Sequence, residues 1–177
     1  MKKDTRQFFD IFLRYVIMIL VAFPGLWIFY FIFTPLTIYP IYLFLDLFLE
    51  TSLIGNIIIL DNFAIELIRA CIAGSAFYLL LVLNLSTPRI EIKKRIKILF
   101  MAFALLLVLN ILRILFLVWI FFLGFSFFDA VHNVFWYFVS TVFVVGIWFT
   151  QVKIFKIKEI PFLSDLKFIY KKSSLKK

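Results

Sequence analysis

From Ile98 to Phe122 every residue except Asn110 and Arg113 is apolar. A helix needs about 20 such residues to cross the hydrocarbon of a bilayer, so this run predicts a transmembrane helix with a guanidinium inside it. A charge at that depth costs several kcal/mol unless it snorkels, pairs or faces a cavity. Asn110 lies three residues before Arg113, so both polar groups project from one helical face. The face is either helix-to-helix glue or one wall of a polar cleft.

The rest of the chain has the same character. Its 177 residues are 65% hydrophobic, well above the half-apolar mix of soluble domains. The sequence predicts an all-α integral membrane protein of one domain, residues 1–152, followed by a basic cytoplasmic tail, residues 153–177. About four spans are expected, at 12–33, 68–87, 98–122 and 132–152. The first is read as a retained anchor, because it is too long for a signal peptide and has no small-residue cleavage site. Lys2, Lys3 and Arg6 precede it and Arg14 lies at its start, the Arg89–Lys97 segment is basic, and lysines from Lys153 to Lys177 follow the last span. Lys and Arg gather on the cytoplasmic side, so both termini of this multi-pass cell-membrane protein are expected to be cytoplasmic, with the candidate site facing the extracytoplasmic side. Arg69 and Arg113 are the exceptions.

Between the first two spans, Pro35 and Pro40 precede IYLFLDLFLE, with Asp46 and Glu50 four residues apart. This reads as an interfacial or half-inserted helix; a complete fifth span is the competing reading. The following NIIILDNFAIELIRA has two β-branched runs around Asp61-Asn62, which predicts a short outer β-hairpin. The tail, with FLSDLKFIY, suits either a basic amphipathic piece on the inner leaflet or a disordered end.

The chain has one cysteine and one histidine, so an intrachain disulfide, a CxxC redox pair and a Cys/His zinc cluster are all excluded. No Gly-rich phosphate loop is present, and the basic excess is explained by orientation toward anionic lipid. No cofactor, metal or nucleic acid is expected. Counting about 20 residues per crossing from the inner edges places Cys71, Arg113 and His132 about one turn below the outer boundary or at it. Singly, a cysteine in an apolar helix is ordinarily inert packing and a histidine at a helix start an interfacial residue. Together they make an acyl-transfer set. A thiolate attacks the carbonyl, nearby positive charge from Arg113 favours its ionisation, and His132 carries the proton. Arg69 is expected either to support the thiolate or, near the interface, to pair locally with Glu66 or simply anchor the helix at the membrane boundary. Asp129, three residues before His132, can orient the imidazole if the helix starts early.

RACIAG entering one membrane helix, LNILRI in the next and HNVFWYF opening the last resemble the exosortase and archaeosortase family, whose members share Cys, Arg and His in that order. The resemblance covers roughly residues 55–149 and is nearer to the compact archaeosortases. It implies a membrane cysteine transpeptidase, or a protease if water is the acceptor, with Cys71 as nucleophile, Arg113 as transition-state stabiliser and His132 as acid and base. Asn110 matches the Asn preceding the family arginine. The implied partners are secreted proteins ending in a short motif, a transmembrane helix and a basic cluster, with a lipid or other amine as acceptor. The chain departs from the pattern at Ile72 and Ala73, where the family has a hydroxyl residue and then glycine. The reading from a different class is a non-catalytic small polytopic membrane protein, a transporter subunit or assembly factor.

Overall fold

A computed structural model describes residues 3–23, 25–60, 63–124, 132, 134 and 138–172. Its helices are α1 (Lys3–Ala22), α2 (Trp27–Asp46), α3 (Arg69–Ile72), α4 (Gly74–Leu85), α5 (Ile92–Phe122), α6 (Ser140–Phe155) and α7 (Leu163–Lys172). Three strands, β1 (Thr51–Ile54), β2 (Ile57–Leu60) and β3 (Phe63–Glu66), lie between α2 and α3. Among the described residues two helices, α2 and α5, are long and apolar enough to cross a membrane, and the apolar helices Arg69–Leu85 and Ser140–Phe155 are shorter. Four crossings are therefore not what these lengths support.

The expected first span, 12–33, is two helices. α1 stops at Ala22, and Gly25 at φ 63° followed by Leu26 at φ 61° re-aims the chain into α2. Two consecutive left-handed residues cannot continue a right-handed helix, and glycine carries the first of them without steric cost. The half-inserted helix expected after Pro40 is likewise corrected: residues 27–46 are one continuous helix with both prolines inside it. Each proline removes one ladder N–H, yet the surrounding run is apolar enough to remain helical, a context in which prolines are tolerated. Glu50 lies beyond α2, so it does not share a helical face with Asp46; instead the Thr51 hydroxyl donates to Asp46 Oδ1 at 2.8 Å.

The predicted hairpin is present and larger than expected. β2 pairs antiparallel with β3 from Ile57↔Glu66 to Leu60↔Phe63, and with β1 from Thr51↔Leu60 to Ile54↔Ile57. The extra strand turns back at Gly55-Asn56, with Gly55 at φ 62°. Ile58 and Leu60, on one face of β2, are buried with Ile41, Leu45, Ile114 and Val118 of α2 and α5. A second cluster joins α2, α4, α5 and α6 through Phe29, Phe33, Phe77, Leu106 and Val144. Phe33 and Phe77 stack with ring centroids 3.6 Å apart. On α5, Asn110 and Arg113 fall between these two apolar clusters, which is where polar groups need internal partners.

The end of α4 remote from Cys71 is closed by side chains. Arg14 Nη1 donates to Leu85 O at 2.7 Å, Arg95 Nη1 to Asn84 O, and Arg95 Nη2 to Thr87 O at 2.9 Å. Cationic donors suit the unpaired carbonyls and negative dipole end of a helix C-terminus. Gln151 Nε2 donates to Ile98 O at 2.7 Å and Gln151 Oε1 accepts from Asn84 Nδ2 at 3.3 Å, tying α6 to α4 and α5. Within the basic tail, residues 163–172 are a helix that packs on α1. Arg14 Nη2 bonds Asp165 Oδ1 at 3.0 Å in the interior, and the Phe8 and Phe168 rings meet at 5.5 Å. Nearby, a Ser164 hydrogen bond and the charge of Arg89 hold Glu159 below the usual carboxylate range.

Candidate functional site

The cysteine stands on a one-turn helix. α3 runs only from Arg69 to Ile72 before Ala73, at φ 59° and ψ 35°, breaks the ladder and α4 begins at Gly74. The Cys71 carbonyl at this break accepts Asn110 Nδ2 at 2.8 Å and Arg113 Nη2 at 3.3 Å. Arg113 Nη1 donates to Ser140 Oγ at 2.7 Å, so one guanidinium ties the cysteine turn to the first residue of α6. Arg113 and Asn110 are buried, at 6% and 2% exposure. The same polar face predicted on α5 therefore does join segments, by holding the Cys71 main chain.

Cys71, Arg113 and His132 also line one cavity of about 300 Å³. Its walls are β3 with the following Leu67 and Ile68 on one side and Ile114, Leu117, Val118 and Phe121 of α5 on the other. The three polar groups converge from three separate segments, and apart from Glu66 the rest of the lining is apolar. The Cys71 side chain is half-buried, and the Arg113 charge lies within electrostatic reach of it. A fixed charge that is itself buried acts more strongly than it would in solvent.

Arg69 faces elsewhere. Its guanidinium sits 5.4 Å from the centre of the Tyr30 ring, a cation–π contact, and it borders a different cavity shared with Ser75 and Thr141. The local pair expected with Glu66 is not formed; Glu66 lines the cysteine cavity instead. Asp129 lies outside the described residues. Ile72, at the position where a hydroxyl was expected by resemblance, is 1% exposed and packs into the core with Phe29 and Phe77. A polar side chain there would need a partner that this core does not offer.

Ser140 was not singled out in the sequence. The available signal was that Ser140 and Thr141 are the only aliphatic hydroxyls between His132 and Thr150, an apolar stretch in which a polar group needs a partner. Gly74 has a steric reason that no sequence motif discloses. A Cβ there would meet the Tyr30 ring at 2.8 Å, and that ring carries Arg69 above it. Gly74→Ala is expected to lower stability by about 1–3 kcal/mol through overpacking. Thermal unfolding in detergent checks this, and Gly74→Ala combined with Tyr30→Leu should recover most of the loss.

No protein-family model, curated protein or solved structure matches the chain. The functional reading therefore rests on the cavity and on the chemistry of the side chains around it.

Proposed function

We propose that the protein is a membrane-embedded cysteine transpeptidase or protease of the exosortase and archaeosortase kind. Its substrates are secreted proteins with a C-terminal sorting signal, cleaved at the outer boundary of the cell membrane. The observation that carries the reading is that Cys71, Arg113 and His132, far apart in sequence, border one cavity. In this mechanism His132 takes the proton of the Cys71 thiol, and the thiolate adds to the scissile carbonyl while Arg113 stabilises the developing oxyanion. The C–N bond then breaks and the leaving amine takes the proton held by His132. The resulting thioester is resolved by an amine of a lipid or other acceptor, whose proton passes to His132, or by water.

The proposal extends to the membrane arrangement. Both termini face the cytoplasm, α2 and α5 cross fully, and the shorter apolar helices α3–α4 and α6 complete four crossings with the local bilayer thinning and snorkelling flanking residues that short segments require. An impermeant thiol reagent added from outside then labels Cys71.

The test of the enzyme reading is co-expression with secreted proteins that end in a motif, an apolar helix and a basic cluster. Cys71→Ala and His132→Ala should each reduce processing by roughly 1,000-fold or more while the variants remain inserted. Normal processing by both inserted variants overturns it.

One observation favours the non-catalytic reading, a transporter subunit or assembly factor. Asn110, Arg113 and Ser140 are joined in hydrogen bonds that would hold helices together without any chemistry. That reading predicts that Cys71→Ala is silent, because only the Cys71 main chain takes part in those bonds.

A further inference from the structure

β3 is an outer strand of the sheet, and its free edge can be oriented. The Leu67 N–H donates to Asn56 O at 2.9 Å, in register with the β2–β3 ladder. Opposed residues in an antiparallel ladder alternate between bonded and non-bonded pairs. If 56 and 67 are bonded, then Ile58 with Ile65 and Leu60 with Phe63 are bonded as well. Ala64 and Glu66 therefore direct their main-chain N–H and C=O groups away from β2. No hydrogen bond among the described residues takes up those groups.

This edge borders the cysteine cavity. Successive strand residues point to opposite faces, so a cavity over one face would touch every second residue. Here Phe63, Ala64, Ile65 and Glu66 all line it in succession, which places it alongside the strand. The opposite wall is α5, whose main chain is bonded internally and cannot satisfy an edge. Neither lysine nor proline, the residues that most directly blunt an edge, stands on Phe63-Ala64-Ile65-Glu66; Glu66 at its end is the strand's one charge. The chain then runs from β3 through Leu67 and Ile68 directly into the Cys71 turn.

We infer that the free edge of β3 binds an extended polypeptide segment, which adds as a fourth strand and is thereby led along the cavity to Cys71. Only an extended main chain presents donors and acceptors at the two-residue repeat that Ala64 and Glu66 require; a lipid tail can fill the apolar wall but leaves those groups unpaired. Affinity then comes from main-chain hydrogen bonds, and the apolar side of α5 selects alternate side chains. The inference gives the substrate of the proposed reaction a binding mode and rests on that reading for its biological role. The edge itself is independent of turnover.

The test uses the full chain in detergent and an N-bromoacetyl Thr-Val-Thr-Val amide, which alkylates the Cys71 thiol with release of bromide and a proton. Strand addition should make this peptide react about tenfold faster than bromoacetamide. N-methylation scanned along the peptide should abolish the advantage at alternate amides only, those that face β3. Ala64→Pro removes an edge N–H without touching a bond to β2, and should bring the ratio of the two rates to about one. A ratio of one in the unaltered protein, or an equal effect of N-methylation at every position, overturns the inference. So does a dimer that Ala64→Pro converts to monomer, since a second copy would then occupy the edge. If Ala64→Pro fails to fold, the N-methyl scan on the unaltered chain decides alone. Alkylation needs no catalysis, so an alternating scan without processing of sorting signals sinks the enzyme reading and leaves the strand edge standing.

Discussion

Replacing Arg113 with lysine is expected to reduce processing of a sorting-signal substrate by roughly 100-fold or more, although the positive charge is kept. The guanidinium engages two partners at once, Ser140 Oγ at 2.7 Å through Nη1 and Cys71 O at 3.3 Å through Nη2. A lysine ammonium is a single compact centre on a flexible stem and cannot reproduce that fork. The cysteine turn and the start of α6 would then lose their common anchor, and the charge would lose its fixed position beside the thiol. Ser140→Ala removes one of the two partners and should have a smaller effect in the same direction. Thermal unfolding run in parallel separates the two readings of the site. A kinetic loss with little change in unfolding temperature supports the catalytic role. A large loss of stability with normal turnover per folded molecule would make Arg113 only a helix tie.

Arg14→Ala should be the most destabilising single change, by about 3–5 kcal/mol, because it leaves the carboxylate of Asp165 buried without its counter-charge. Arg14 and Asp165 are 5% and 2% exposed, and their 3.0 Å bond joins α7 to α1 across most of the chain length. The same arginine donates to the last carbonyl of α4, so its loss also uncaps that helix. Asp165→Asn in the Arg14→Ala background should recover part of the loss, since a neutral amide is cheaper to bury than an anion. Denaturant or thermal unfolding of the three variants measures this. If Arg14→Ala unfolds like the parent, the pair is not a fastener and α7 is held by its apolar contacts alone.

The apolar patterning of α5 was legible because twenty-odd consecutive apolar residues have few alternatives to a helix, and the polar Asn110-Arg113 face on it could be read from spacing. The β2–β3 hairpin was legible for a similar local reason, with β-branched runs on both sides of an Asp-Asn pair. The break between α1 and α2 was missed although Pro24-Gly25 stands in the sequence, because the apolar runs on either side read as one. The continuity of α2 was missed for the opposite reason: Pro35 and Pro40 signal a boundary locally, and burial of Phe33, Ile38 and Ile41 against neighbouring elements outweighs them. The Arg113–Ser140 and Arg69–Tyr30 contacts were not legible, since each depends on which residue a separate helix brings opposite.

By itself the sequence determined the apolar class of the chain, the helix that carries Asn110 and Arg113, the hairpin before the cysteine, and that one cysteine and one histidine are present for any chemistry. These follow from local periodicity and from the scarcity of Cys and His. Only the tertiary structure decided that Cys71, Arg113 and His132 share a cavity, that Arg69 turns away from it, and that a strand edge with no partner among the described residues runs beside it. It also decided that the tail helix is fastened through a buried ion pair. Those outcomes depend on contacts between residues far apart in the chain, whose energies come from packing and from satisfying buried polar groups, and neither quantity is written in a local pattern.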